Sequence, residues 1–289
     1  MIPKRREPFD RNIILALIGS PSPLPRITDD LPLGRTSWQW DTTLGRSFRA
    51  AIVLGARTGV RKAEISLRSD EKFDHRCANR ANVRWHLRGR YYASPPRALL
   101  EAATRDDFCI FVPPLSKSDQ TGEVWGAKPI YLRYNPGEPV CAFSALRDIE
   151  LHDPVHPTAR ATTPLFTEDG TQAMRGSRLA ALLSHMLTHV VGATRAKAYS
   201  YHSLRVHLAC ALLASGSTPA QIMALCRWQT EESLAIYARL GEADYTRLLE
   251  RSLHADISSV STANLPVLGA HSALLDLLAS ADSVVAAAA

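Results

Sequence analysis

The chain has 289 residues, 46% of them hydrophobic, and carries 34 Lys and Arg against 28 Asp and Glu for a formal charge of +6. That composition places it among globular proteins with a real core, in one large domain or two smaller ones. Five scattered cysteines without a C-x-x-C pair argue against a disulfide framework or a zinc cluster, and no segment reaches membrane-spanning length, so a soluble protein in a reduced, intracellular compartment is expected.

Lysine is scarce: only Lys4, Lys62, Lys72, Lys117, Lys128 and Lys197 occur, and every other basic residue is Arg. Arginine's planar fork suits bidentate phosphate contact, a bias that fits a nucleic-acid partner and fits a GC-rich genome equally well. The N-terminus superficially resembles a signal peptide, but Glu7, Asp10 and Arg11 interrupt its apolar run. Phe9, Ile13 and Leu17 recur there at helical spacing, which predicts a short amphipathic helix over residues 8–19. Pro21, Pro23, Pro25 and Pro32 then impose a loop. A second helix is predicted over 41–57, with Asp41 as its cap and Phe48, Ile52 and Val53 on its buried side, running towards Thr58-Gly59.

The middle of the chain changes character. Residues 82–87, 108–115 and 129–134 are short, partly alternating runs between polar and Pro/Gly breaks, and they predict a small antiparallel sheet. Helices are predicted over 139–151 and 176–191, separated by a loop with Pro154, Pro157 and Pro164. From His202 the chain is helical again, over 202–214, then 219–226 with Thr218 as cap and Pro219 at the first position, then 231–240 opened by Thr230 with Glu231 and Glu232 in the first turn. The fold class expected is α+β and predominantly helical. The tail from 256 is Ser/Ala-rich, with one apolar helical face at Leu274, Leu275, Leu277 and Leu278.

Four segments carry residues suited to chemistry on a phosphate, and each also has a plain structural reading. Arg61, in Thr58-Gly59-Val60-Arg61-Lys62-Ala63-Glu64-Ile65, is a helix-start arginine that Glu64 can orient from three residues on. Lys117, in Ser116-Lys117-Ser118-Asp119-Gln120, is either a solvated turn lysine or an ammonium at a loop tip able to reach a ligand and give up a proton. His202 and Arg205, in Tyr201-His202-Ser203-Leu204-Arg205, face the same way at a helix start and present two donors to one anion, although a lone histidine there also serves as a satisfied structural group. Trp228 and Tyr237 close the series, and by position alone both are ordinary packing aromatics.

The order of these elements resembles the catalytic domain of the tyrosine recombinases, the phage integrase family. That pattern runs through an arginine in T-G-x-R-x-x-E, a lysine in a β-turn, H-x-L-R, a His or Trp, and a tyrosine about nine residues later. Arg61, Lys117, His202, Arg205, Trp228 and Tyr237 fit it in sequence over roughly residues 8–250. Ser116 to Gln120 and Ile236-Tyr237-Ala238-Arg239-Leu240 look, more narrowly, like recombinases of eukaryotic mobile elements.

The resemblance implies that Tyr237 attacks a DNA phosphate to form a 3′-phosphotyrosine link without metal or ATP. Arg61 and Arg205 then stabilise charge on the phosphoryl oxygens. Lys117 protonates the leaving 5′-oxygen, and His202 helps deprotonate Tyr237 or binds the phosphate. Trp228 replaces a histidine, and its indole N–H donates a hydrogen bond but cannot accept a proton. The same likeness implies a catalytic domain over 1–255 without the N-terminal core-binding domain of relatives, and a 256–289 tail that docks in cis or on a neighbouring subunit. It further implies double-stranded DNA as partner, self-association as a tetramer on DNA, no cofactor, and a DNA-associated location in a nucleus or nucleoid. Three other functions stay open on the residues alone: type IB topoisomerase-like relaxation, a catalytically silent DNA-binding protein, and a purely structural helical protein.

Overall fold

Helix α2 (Thr43–Thr58) is the centre of the structure, because the sequence from Ser47 to Ala56 has almost no polar side to turn outward. Phe48, Ile52 and Leu54 are fully buried there, with Ala50, Ala51 and Val53 beside them. A helix apolar all round is stable only with packing partners on every side, and each such large side chain contributes roughly 1.5–3 kcal/mol on burial. The cap is Thr42 rather than the expected Asp41: Thr42 holds the extended conformation, and its Oγ1 accepts from Gly45 N at 3.1 Å.

In the computed structural model, residues 6–68, 71–74, 76–114 and 129–228 are described. They fall in two compact units, Met1–Leu208 and Ala209–Ala289. The first unit opens with α1 (Arg11–Leu17), shorter than predicted because Asp10 caps it through Ile13 N at 2.9 Å. The proline-rich loop after it carries an unforeseen two-stranded hairpin, β1 (Pro32–Leu33) with β2 (Thr36–Ser37). Past α2 come α3 (Lys62–Ile65), β3 (Val83–Leu87), β4 (Arg90–Tyr92), α4 (Arg97–Glu101), β5 (Phe108–Phe111) and β6 (Ile130–Arg133). Helices α5 (Ala142–His152), α6 (Gly176–Val191) and α7 (Ala193–Ala196) follow, then α8 (His202–Ala214), which runs across the unit boundary. The second unit contains α9 (Pro219–Cys226), begun as predicted by Thr218, whose Oγ1 accepts from Gln221 N at 3.3 Å.

The mixed helix and sheet expectation holds, with helix predominant. All strand pairs in the four-stranded sheet are antiparallel, in the order β4-β3-β5-β6. Val83, Trp85, Leu87, Cys109, Phe111 and Leu132 face the core, where Trp85 meets Phe143 of α5 edge-on at 5.2 Å, and α5 in turn packs along α2. Strand β4 was not foreseen. It exists because Arg88 and Gly89 both adopt positive φ, 48° and 76°, in a two-residue hairpin turn. Asp107, itself buried, accepts from Arg88 N at 2.7 Å and so holds that unusual backbone in place.

Helix α8 reaches the core through a gap at Gly55. A methyl group added there would lie 2.7 Å from both Leu204 Cδ1 and Tyr201 Oη, and Tyr201 Oη donates to Ala51 O at 2.9 Å. Gly55→Ala is therefore expected to cost about 1–3 kcal/mol by overpacking, although alanine is the better helix former. Thermal unfolding checks this, and an unchanged or higher Tm would show that α2 and α8 are less closely apposed.

Candidate active site

Gly59 ends α2 in the left-handed conformation, φ 62°, which glycine adopts without a Cβ penalty. The bend delivers Arg61 in extended conformation to the start of α3. Glu64 then accepts from Arg61 N with Oε2 at 2.7 Å and from the guanidinium Nη1 with Oε1 at 3.2 Å. The carboxylate is buried while the Arg61 side chain is 34% exposed, so the pair fixes the guanidinium and still leaves it accessible. The ion pair expected from the i, i+3 spacing is present.

Arg205 comes from the first turn of α8 and is buried, with Nη1 donating to Gly59 O at 2.6 Å. The same glycine thus turns the chain towards Arg61 and anchors Arg205, which ties two sequence segments 146 residues apart into one structure. Sequence reasoning missed this link, since nothing in a T-G-x-R run specifies what its carbonyl accepts. Leu204 and Tyr201, both buried, lock the turn from which His202 and Arg205 project.

Arg61, Lys62, His202 and Arg205 line one cavity of about 460 Å³, walled by Leu183 and Leu187 of α6. None of the described residues lining it is a carboxylate, so its charge is positive and suited to an anion. A larger cavity, about 650 Å³, shares Arg61 but includes Glu64, Glu71 and Asp74 among its lining, which offsets the cations there. Lys62 was not singled out from sequence, although it directly follows Arg61. Its Nζ donates to Gly176 O at 3.2 Å.

His202 is exposed at the helix start, yet enough protein surrounds the ring that desolvation lowers its pKa, and the positive charges of Arg205, Arg61 and Arg6 lower it further. A neutral imidazole at pH 7 is the form that can accept a proton. Because the folded pKa lies below the ordinary 6.5, this group's contribution to stability is present above that value and is lost as the pH falls through it. An NMR titration of His202 is expected to give a midpoint below 6.5, moving upward in Arg61→Gln. A midpoint insensitive to Arg61 would place the guanidinium away from the ring. His207, by contrast, is structural: its Nδ1 lies 2.6 Å from Phe9 O.

Of the remaining sequence candidates, Trp228 belongs to the second unit, buried just beyond α9, with its backbone N–H donating to Met223 O at 2.9 Å. Lys117 and Tyr237 lie outside the described residues, as does the predicted 231–240 helix. Among the described residues no helix is long and apolar enough to cross a membrane.

No family model matches the chain, and no curated protein matches it in sequence. Among solved structures, the crystal structure of XerA recombinase superposes over 81% of this chain and 69% of its own, with 12% identity and a TM-score of 0.41. At that score the likeness bears on neither the site nor the reaction.

Proposed function

We propose that this chain breaks and rejoins DNA strands as a tyrosine recombinase, through a covalent 3′-phosphotyrosine intermediate. The observation that carries the proposal is the convergence of Arg61, His202 and Arg205, from two distant sequence segments, on one cavity free of carboxylates. The sequence order of Lys117, Trp228 and Tyr237 around them supplies the remaining groups.

A phosphodiester resists attack because its own charge repels nucleophiles and more charge builds on its oxygens in the transition state. Arg61 and Arg205 meet that charge with guanidiniums already fixed by Glu64 and by Gly59 O, so little reorganisation accompanies the reaction. The Tyr237 hydroxyl attacks phosphorus, its proton passing towards the neutral His202. The bond from phosphorus to the 5′-oxygen breaks, and Lys117 protonates that oxygen as it leaves. Trp228 donates its indole N–H to a phosphoryl oxygen. Since the phosphotyrosine conserves the energy of the broken bond, attack by a 5′-hydroxyl from another strand rejoins the backbone without ATP. Duplex DNA is the partner, and strand exchange calls for several copies of the chain assembled on it.

The test is incubation of the full chain with nicked duplexes drawn from the DNA flanking its gene, followed by denaturation and peptide mapping. A covalent protein–DNA adduct on the peptide containing Tyr237 is expected. Attachment at any other residue, or no adduct across the flanking sequences, overturns the proposal.

A further inference from the structure

Strands β4, β3, β5 and β6 turn a second, outward face away from the core, and its side chains are unusual for a solvated sheet. Across the strands, Tyr91 opposes His86, His86 opposes Phe108 and Phe108 opposes Arg133; in the next register row Arg84 opposes Ile110 and Ile110 opposes Tyr131. The rings touch one another in a continuous series. His86 stacks on Phe108 with centroids 4.4 Å apart, Tyr91 meets His86 edge-on at 4.7 Å, and Tyr131 lies 5.8 Å from Phe108.

Because His86 and Phe108 spend their faces on each other, the rings open to water are the two outer ones. Tyr91 is 65% exposed and Tyr131 is 63% exposed, and they account for two of the three large exposed hydrophobic side chains among the described residues. Burying such rings stabilises a fold, so a series held on a surface needs another reason. The charge that the strands place on this face has one sign: Arg84 and Arg133 are exposed, and no Asp or Glu occurs in any of the four strands.

We propose that the outer face of this sheet binds single-stranded nucleic acid, its bases stacking on Tyr91 and Tyr131 and its phosphates meeting Arg84 and Arg133. Unpaired bases have open π-faces that aromatic rings can cover, whereas in a duplex those faces are already stacked and only phosphates reach a flat surface. Two arginines with stacked rings between them match that combination of anionic backbone and apolar bases. An acidic protein partner would use the arginines but gains little from the exposed rings, and an apolar partner would leave the arginines unpaired.

This inference does not rest on the strand-cleavage reading, because it concerns other residues and its readout is binding alone. Fluorescence anisotropy of the full chain with labelled dU15 and rU15 is expected to show saturable binding to single strands that an unlabelled duplex competes for poorly, and the two probes, which differ only in the sugar, report whether the 2′-hydroxyl matters. Tyr91→Ala and Tyr131→Ala are each expected to weaken the complex about 5-fold or more, while Tyr91→Phe and Tyr131→Phe keep it, since stacking needs the ring. Arg84→Ala or Arg133→Ala is expected to reduce the log–log salt slope by about 0.7 each. All of these positions are at the surface, and an unchanged Tm shows that the fold is kept. Three results would overturn the proposal: no binding of either oligonucleotide, equal binding by the Tyr91→Ala/Tyr131→Ala double variant, or loss of self-association in that variant with single-strand affinity intact. Formation of the Tyr237 adduct by the double variant would show the two activities to be separate.

Discussion

Arg205→Ala is expected to slow adduct formation by ~10²–10³, the usual loss when one preorganised donor to a developing oxyanion is removed. Tyr237→Phe is expected to abolish the adduct altogether while leaving duplex affinity unchanged. Arg205 is a demanding test because its guanidinium is buried and also holds Gly59 O, so its removal leaves a buried carbonyl short of a donor at a cost of about 1–3 kcal/mol. Two comparisons separate chemistry from folding. Arg61→Ala removes a guanidinium from the same cavity, but one whose side chain is a third exposed, and the buried Glu64 carboxylate that loses it still accepts from the backbone N–H of position 61, so its rate loss should come with a smaller change in Tm. Arg205→Lys keeps the charge and loses the fork, and a rate between those of wild type and alanine is expected. Single-turnover adduct formation on a nicked duplex, at a temperature where each variant is folded, measures all four. An adduct from Tyr237→Phe, or an undiminished rate from Arg61→Ala, would show that the site works differently.

Much of this site is legible in the sequence, because its parts are local. Thr58-Gly59 announces a turn, Arg61 and Glu64 have helix spacing, and His202 and Arg205 share a helix face; each is a relation over three or four residues that dihedral geometry dictates. Thr218-Pro219 marks the start of α9 for the same reason. What joins the parts is not legible. The bond from Arg205 to Gly59 O spans 146 residues, and Gly55 looks like an ordinary helix defect until Leu204 and Tyr201 are set against it. Strand β4 escaped notice because Arg88-Gly89 is a weaker hairpin signal than Asn-Gly, its strained residue being held by Asp107 from 19 residues away. The outer face of the sheet also escaped, since alternation shows that a strand has two faces without showing which residues of neighbouring strands meet.

The least legible feature carries the largest expected effect on stability. Glu150→Ala is expected to cost about 3–5 kcal/mol, enough to unfold a marginally stable chain. Glu150, near the end of α5, is buried with Arg80 and Arg160, residues 70 and 10 positions away. Its Oε2 accepts from Arg80 Nη1 at 3.1 Å and from Arg160 Nη2 at 3.3 Å, while its Oε1 accepts from Arg160 Nη1. The guanidiniums also donate to the backbone, Arg80 to Asp153 O at 3.0 Å and Arg160 to Arg80 O at 2.9 Å. One carboxylate thus serves two buried cations, and burial lowers the Arg80 pKa while the Glu150 charge raises it again. Removing Glu150 leaves two cations in a poorly hydrated interior with only backbone carbonyls to offset their desolvation, whereas removing either arginine leaves one ion pair standing. Arg80→Met or Arg160→Met, which nearly conserve volume, should therefore be less costly than Glu150→Ala. Glu150→Gln, which keeps the shape and one acceptor but not the charge, should fall between them. Urea denaturation of the four variants gives the ranking, and a loss below about 1 kcal/mol for Glu150→Ala would mean that water reaches the cluster and screens it as it does a surface pair.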